Sequence, residues 1–223
     1  MSAPLLLEFF EQLQSHGDLA RFTEEIQSHY LEGTLQRLLA HRQVRIREAA
    51  LTALRAVGTM ASNSLVADRL RDHAATVREL AESTLWAIWF RGDNPQDGQE
   101  LQRLTRLMTQ QNYAAALEGF HGLLRRSPRF AEAYNQRAIL YWKMEDARRS
   151  LLDCERAVRL NPCHFGAYSG MAQCYLKMHK PVEALRAFRQ AHRINPNMEG
   201  LLDSIRALEQ FLREERRRRR DGS

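Results

Sequence analysis

The sequence has few of the residues that interrupt helices and lacks the patterns that mark β-strands. It contains 6 prolines and 11 glycines among 223 residues, and both residue types are poor helix formers. No stretch alternates Val, Ile or Thr with polar residues, as a half-buried strand would. Leu, Ala, Arg, Glu and Gln are abundant instead, and these residues favour helix. The composition therefore predicts an all-α protein.

Cysteines and long apolar runs are also scarce. The three cysteines, Cys154, Cys163 and Cys174, are odd in number and have no Cys-x-x-Cys spacing, so we interpret them as reduced thiols rather than as disulfide or metal partners. Residues 1–10 carry no basic segment, and Glu8 interrupts their apolar run, which makes a poor secretory signal. No stretch approaches the roughly 18 apolar residues of a membrane helix. We expect a soluble, cytoplasmic protein without a membrane span.

Motifs that bind nucleotides or metals, or that contain a catalytic nucleophile, are missing as well. The sequence contains no Gly-x-Gly-x-x-Gly, no Gly-x-Ser-x-Gly and no His-Glu-x-x-His. Its 8 histidines are scattered, and Cys163-His164 is an isolated pair without the further ligands that zinc needs. We therefore predict no catalytic residue, no metal and no cofactor.

What the sequence does have is a repeat in its C-terminal half. The dipeptides Ser127-Pro128, Asn161-Pro162 and Asn195-Pro196 are spaced 34 residues apart. A period in the thirties is typical of stacked helical hairpins, in which small residues let two helices approach and proline ends the second one. The repeat divides this half into the blocks 97–130, 131–164 and 165–198.

These blocks resemble the tetratricopeptide repeat family over residues 97–198. Small residues recur at block positions 8 and 20 and aromatic residues at positions 4, 11 and 24, as in Tyr134, Ala138 and Tyr141. The middle block departs from this pattern at Ser150 and Cys154, and the usual turn glycine is replaced by Glu145 and by His179 in the third block. The resemblance implies three hairpins within residues 96–198.

A helix is predicted directly after the third hairpin, over residues 199–215. Leu201, Ile205, Leu208 and Leu212 recur at helical spacing, with Phe211 beside them. We interpret this apolar stripe as the contact of a capping helix with the last hairpin. The alternative is a helix that docks on a partner.

The N-terminal half contains a weaker repeat. Residues 46–54 align with residues 77–85 at a spacing of 31, and each segment follows a shorter apolar helix. This pattern resembles HEAT-like repeats, which implies paired helices over residues 32–95 preceded by a helical cap at residues 1–31. The fold predicted for the chain is a right-handed α–α superhelix of HEAT-like hairpins, followed by three tetratricopeptide hairpins and the capping helix.

An aromatic cluster closes the HEAT-like region. Trp86, Trp89 and Phe90 precede a Gly-Asp-Asn-Pro break, where the two repeat types would meet. We expect them to fill that junction, and an exposed aromatic binding site is the alternative.

The resemblance also implies where a partner would bind. The first helix of each tetratricopeptide hairpin lines a concave groove, and amides there could bind the backbone of an extended peptide while apolar residues accept its side chains and lysines its acidic groups. The alternative is an ordinary solvated surface. The predicted groove residues are Thr105, Met108, Asn135, Ile139, Trp142, Lys143, Ser169, Gln173, Leu176 and Lys177.

One subset of this family holds the acidic C-terminus of chaperones with a clamp of Lys, Asn and Arg residues. The matching positions here are Leu101, Thr105, Gln136, Gly166 and Gly170. The clamp residues are absent, so we expect a different mode of binding. The resemblance thus implies a non-catalytic adaptor whose partner is another protein, bound as a peptide or a helix.

A run of arginines near the C-terminus favours a second function. The formal net charge is +6, and residues 213–223 supply +3 of it from six arginines against three carboxylates. Residues 216–223 are predicted to be a basic tail that is either solvated, in contact with this chain, or bound to RNA, DNA or an anionic membrane. A nucleic-acid- or ribosome-associated factor is therefore the alternative to the adaptor, and an enzyme subunit is the least favoured interpretation. The possible polyanion contacts are Arg216, Arg217, Arg218, Arg219 and Arg220.

Overall fold

The computed structural model describes residues 3–92 and 94–221, and within those ranges it contains helices and no strand. The prediction of an all-α fold is confirmed. The chain divides into two compact units, Met1–Pro95 and Gln96–Ser223.

Over residues 3–92 the N-terminal unit forms six α-helices, and the last four of them alternate between short and long. Two long helices, α4 and α6, follow the short helices α3 and α5, as the repeat in the sequence predicts. A 3₁₀ turn precedes α5 and another follows it, at Met60–Ser62 and Arg69–Arg71. The helices are α1 (Ala3–His16), α2 (Leu19–His29), α3 (Glu32–Leu38), α4 (Val44–Val57), α5 (Asn63–Asp68) and α6 (Ala75–Arg91).

Helix α4 is the centre of this unit. It packs against α1, α2, α3 and α6, and its residues from Ala49 to Leu54 are all buried. Three of these six residues are alanines, whose small side chains let neighbouring helices approach from several directions. A helix that is apolar on most sides is stable only when it is enclosed in this way.

The same hydrogen bonds recur at the spacing of 31 residues found in the sequence. Arg47 Nη1 donates to the carbonyls of His41 (2.8 Å) and Arg42 (3.1 Å). Arg78 Nη1 donates in the same way to the carbonyls of Asp72 (2.9 Å) and His73 (3.2 Å). Each arginine therefore satisfies carbonyls in the turn before its own helix, which water would otherwise have to reach.

The two turns are joined by a buried ion pair. Arg47 Nη2 lies 2.7 Å from Asp72 Oδ1, and Asp72 also accepts a hydrogen bond from the Ala74 amide. Burial would raise the pKa of Asp72, but the hydrogen bonds from Arg47 and Ala74 outweigh it and hold that pKa below its ordinary value.

The aromatic cluster of α6 contributes to the core of the N-terminal unit. Trp89 is buried and its Nε1 donates to Asn63 Oδ1 at 2.7 Å. Trp86 contacts Trp89 edge-on with ring centroids 5.0 Å apart, and Trp86 and Phe90 are half-buried. Trp89 thus binds α6 to α5 and satisfies its indole N–H within this unit.

Up to residue 221, where the description of the C-terminal unit ends, it forms three helical hairpins and a final helix. Helices α9 and α11 begin at the first residues of the predicted blocks. In the first hairpin the two helices approach so closely that a methyl group at Gly119 would collide with Leu104. The helices are α7 (Pro95–Thr109), α8 (Tyr113–Arg126), α9 (Ala131–Lys143), α10 (Ala147–Leu160), α11 (Phe165–Lys177), α12 (Pro181–Ile194) and α13 (Leu201–Asp221).

The turn within each hairpin adopts the left-handed conformation without a glycine. Gln111, Glu145 and His179 have φ angles of 60°, 62° and 57°. The residue that follows each of them donates its amide to a carbonyl five residues before it, for example from Asp146 to Tyr141 at 2.9 Å. This closure satisfies the carbonyls at the helix end, so the hairpins keep their turn where the sequence lacks the usual glycine.

Helix α13 covers the last hairpin, as predicted. Leu201, Ile205 and Leu208 are buried against α12 residues that include Leu185 and Phe188. The helix continues to Asp221, so the arginines at positions 216–220 form its final turns, whereas the sequence placed them in a separate tail. Nothing is described of the side chains of Arg219 and Arg220, and residues 222–223 of the predicted tail lie outside the described residues.

Candidate functional site

Six of the predicted groove residues have accessible side chains on α9 and α11. Ile139 and Leu176 are large apolar residues that remain 38% and 40% exposed. Lys143, Gln173 and Lys177 are exposed and Trp142 is half-buried. The surface therefore combines apolar side chains, an amide and two cations.

Trp142 and Lys177 link the two helices across this surface. Lys177 Nζ lies 5.3 Å from the centroid of the Trp142 ring, which is the geometry of a cation–π contact. The contact holds the ammonium group beside the apolar side chains, where it can still reach an acidic group.

Two residues predicted to line the groove, Met108 and Asn135, are buried instead. Met108 packs into the core with 6% of its surface exposed, because the face of α7 that carries Leu101 and Leu104 is turned inward. Asn135 is 3% exposed and donates from Nδ2 to Glu132 Oε1 at 3.1 Å. Neither side chain is available to a partner.

Asn135 is buried because it helps to satisfy a buried carboxylate. Glu132 also accepts hydrogen bonds from Gln136 Nε2 (2.7 Å) and His164 Nε2 (2.7 Å), and His164 is fully buried as well. The Ala167 amide donates to His164 Nδ1 at 3.1 Å, so Nε2 must carry the imidazole proton. A buried carboxylate needs several donors, and this cluster joins the second hairpin to the third.

The remaining predicted residues on α7 and α11 are less accessible. Thr105 is half-buried and its hydroxyl donates to the Gln102 carbonyl at 2.9 Å. Ser169 is half-buried. The accessible part of the groove therefore lies on α9 and α11 rather than on α7.

The structure adds a residue that the sequence did not assign to the groove. A cavity of about 450 Å³ lies between the C-terminal end of α11, the start of α12 and α13. Phe211 of α13 lines it with 53% of its surface exposed, opposite Leu176 of α11. Phe211 lies beside the apolar stripe that covers the last hairpin rather than on it. Its position off that stripe is the sequence signal that could have identified Phe211 as a groove residue. The lining residues are Leu176, His179, Pro181, Leu208, Phe211 and Glu215.

A second cavity, of about 740 Å³, adjoins Lys177 at the turns of the second and third hairpins. Asp146 in its wall is neutralised by Arg149, whose Nε lies 2.6 Å from Asp146 Oδ2. Among the other charged residues of the lining, Arg148, Lys177 and Lys180 outnumber Glu145 and leave an excess of positive charge there. An acidic group would be stabilised at this end of the surface.

The positions of the chaperone clamp hold no cation in the structure either. Leu101 is fully buried and the Gln136 amide donates to Glu132. The nearby cation Arg137 makes two hydrogen bonds to Asp153, of 2.7 and 2.8 Å. The groove therefore offers lysines on α9 and α11 in place of that clamp.

The described residues contain no group of three or more His, Cys, Asp or Glu side chains that could hold a metal ion. Cys154 and Cys174 are buried thiols without a disulfide, and burial raises the pKa of both. Within the described part of the chain, no helix is both long and apolar enough to cross a bilayer.

Comparison with known proteins shows which fold carries this surface. Residues 166–198 match the tetratricopeptide repeat family. The chain is 28% identical over 110 residues to the Hsp70-Hsp90 organizing protein of Triticum aestivum, an alignment that covers 48% of this chain and 19% of that protein. It is 35% identical over 72 residues to a TPR repeat-containing protein of Rhizobium etli, covering 32% of this chain and 35% of that protein. The chain thus spans about a fifth to a third of the length of these relatives.

The structure is similar to the first tetratricopeptide domain of Spaghetti (RPAP3), which was solved bound to the HSP90 peptide SRMEEVD. The TM-score is 0.51 at 21% sequence identity, and the match covers 54% of this chain and 95% of that domain. This similarity shows the fold: the C-terminal unit of this protein has the superhelical fold of tetratricopeptide domains.

Proposed function

We propose that this protein is a non-catalytic adaptor that binds an extended or helical segment of another protein on the surface formed by α9, α11 and α13. The observation that carries the proposal is the row of accessible apolar side chains Ile139, Trp142, Leu176 and Phe211, one or more from each of these helices. Exposure of such large apolar groups to water is unfavourable in free energy, and a partner that covered them would remove this unfavourable contribution.

The charge around this row indicates what the partner segment contains. Lys143 and Lys177 are exposed beside Trp142, and Arg148 and Lys180 line the cavity that adjoins Lys177 at the turns. A segment with apolar residues and nearby carboxylates would complement both features. The wheat relative is named an Hsp70-Hsp90 organizing protein, and the similar RPAP3 domain was solved with an HSP90 peptide, which supports a protein partner in general.

The mode of binding would differ from a carboxylate clamp. Because the clamp positions hold Leu101, Thr105, Gln136, Gly166 and Gly170, the peptide SRMEEVD should bind with a Kd weaker than about 1 mM, or about −4 kcal/mol. Isothermal titration with that peptide measures this directly. Micromolar binding would contradict the proposed mode but not the adaptor function.

The remaining parts of the proposal concern the chain as a whole. We assign helices α3 to α6 to HEAT-like repeats, on the strength of the repeated arginine bonds of Arg47 and Arg78. We assign the protein to the cytoplasm, where Cys154, Cys163 and Cys174 would stay reduced.

The experiment that tests the function compares two variants in affinity capture from the source organism. Trp142→Ala combined with Leu176→Ala removes two accessible groove side chains, whereas Leu152→Ala removes an equally apolar side chain that is 62% exposed on α10. The groove variant should lose a partner that the wild type and Leu152→Ala both retain, with unchanged helical circular dichroism. Retention of every partner by the groove variant would refute the proposal.

A further inference from the structure

The side of α13 away from the Phe211 cavity carries exposed arginines in a regular row. Arg213, Arg216 and Arg217 are exposed and lie three and four residues apart on a continuous helix. At 3.6 residues per turn they fall within about 100° of the helix circumference. A helical arrangement holds these charges in one row, which a solvated coil would not do.

A second row of arginines lies next to it on α12. Arg186, Arg189 and Arg193 are exposed and share one face by the same helical spacing. Arg189 Nη2 lies 2.6 Å from Glu209 Oε1 of α13, which places the two rows side by side. The hydrogen bond from Arg189 lowers the pKa of Glu209, and Arg213 Nη2 lies 3.5 Å from its other oxygen. This carboxylate therefore stays ionised, and the two arginines share its charge.

The other carboxylates of α13 offset only part of the charge of the two rows. Glu214 is exposed and keeps its negative charge next to Arg213, since its partner Gln210 is neutral. Asp203 pairs with Arg206 at 3.6 Å, and Glu215 lines the cavity on the far side with Phe211. Helical geometry places Phe211 about 160° around the axis from Arg213. The large exposed apolar side chains that share these faces, Val182 and Leu202, lie in the first turns of α12 and α13. The arginines further along α13 therefore form a cationic surface.

From this arrangement we infer that the α12–α13 arginine rows bind the phosphate backbone of a nucleic acid, independently of the groove. Arginine pairs with phosphate through two parallel hydrogen bonds. Firm binding to an anionic membrane would be favoured by apolar side chains that insert beside the arginines. Phe211 is on the opposite face of α13, and the exposed Leu202 lies about 16 Å along the axis from Arg213. No aromatic side chain lies in either row for unpaired bases to stack on, so we expect contact with the phosphate backbone of a duplex rather than with a single strand.

The test measures binding of the full chain to a 20-base-pair DNA duplex by fluorescence anisotropy at several salt concentrations. Four phosphate contacts would give a slope of about −4 in a plot of log K against log salt. The variant Arg186→Gln, Arg213→Gln, Arg217→Gln should reduce that slope to about −1 and weaken binding at least about tenfold at low salt. A matched control, Arg21→Gln, Arg42→Gln, Arg71→Gln, removes the same charge from exposed positions of the N-terminal unit.

The inference holds if the control variant binds the duplex as the wild type does. It also requires that the wild type bind a duplex of a different sequence with the same affinity. It is overturned if the arginine-row variant retains wild-type affinity, or if the control weakens binding equally, since total charge would then be the cause. It is also overturned if vesicles containing phosphatidylserine are bound by the wild type under conditions in which the duplex is not.

Discussion

The substitution Glu132→Gln tests the buried cluster that joins the second and third hairpins. Glu132 accepts three hydrogen bonds, from Asn135, Gln136 and His164. A glutamine of the same shape has one acceptor oxygen and one donor nitrogen. If the oxygen faces Asn135 and Gln136, the nitrogen faces the proton on His164 Nε2. His164 can move that proton to Nδ1 only by losing the hydrogen bond from the Ala167 amide.

The magnitude follows from the bonds that are lost. The charged acceptor gives bonds worth about 1.5–3 kcal/mol each, and a buried group left unsatisfied costs about 1–3 kcal/mol. We expect Glu132→Gln to reduce the free energy of local opening in α9 to α11 by about 3 kcal/mol. Hydrogen exchange measured by mass spectrometry reports this locally and leaves the N-terminal unit as an internal reference. A control, Glu118→Gln, changes an exposed carboxylate on α8 and should alter protection by less than about 0.5 kcal/mol. A loss below about 1 kcal/mol for Glu132→Gln would refute the assigned protonation of His164.

Three further predictions concern other parts of the chain. Because the pKa of Asp72 is lowered in the folded protein, its stabilising contribution is full above the ordinary value of about 3.9 and is lost as pH falls below it. Asp72→Asn should therefore flatten the acid limb of the thermal stability of the N-terminal unit and lower its stability at pH 7 by about 3–5 kcal/mol; an unchanged acid limb would contradict the ion pair. Glu145→Gly and His179→Gly should each raise the thermal unfolding temperature, because relief of about 1–2 kcal/mol of left-handed strain exceeds the entropic cost of glycine, and a decrease for both would show that these turns are unstrained. Among the three cysteines, Cys163 should react fastest with iodoacetamide in the native protein, since the other two are buried thiols with raised pKa values; faster labelling of either buried cysteine would indicate local opening.

The repeat pattern predicted the helices of the C-terminal unit closely, because the same boundary signals occur in each of three consecutive blocks. The prolines at 128, 162 and 196 end α8, α10 and α12, and the block starts at 131 and 165 are the first residues of α9 and α11. The continuation of α13 to Asp221 was not predicted. The run of arginines has no apolar periodicity, although arginine is itself a good helix former.

The groove was predicted less well than the helices, and the reasons are particular. Family positions identify the face of a helix but not which side chains on it are needed in the core. Asn135 fits a groove position, and only the buried Glu132 explains why its amide is turned inward. Phe211 was missed for the opposite reason, because it lies on a helix that the pattern assigned to covering the last hairpin. Burial of this kind depends on neighbours that are distant in sequence, such as His164 for Glu132.

Site-specific photo-crosslinking tests the account of the groove most directly. A photoreactive residue would replace Gln173 on α11 in one variant and Leu152 on α10 in another, both at exposed positions. The account predicts that the partner is cross-linked from position 173, that Phe211→Ala reduces this product, and that position 152 gives none. Equal cross-linking from both positions, or from position 152 alone, would contradict it.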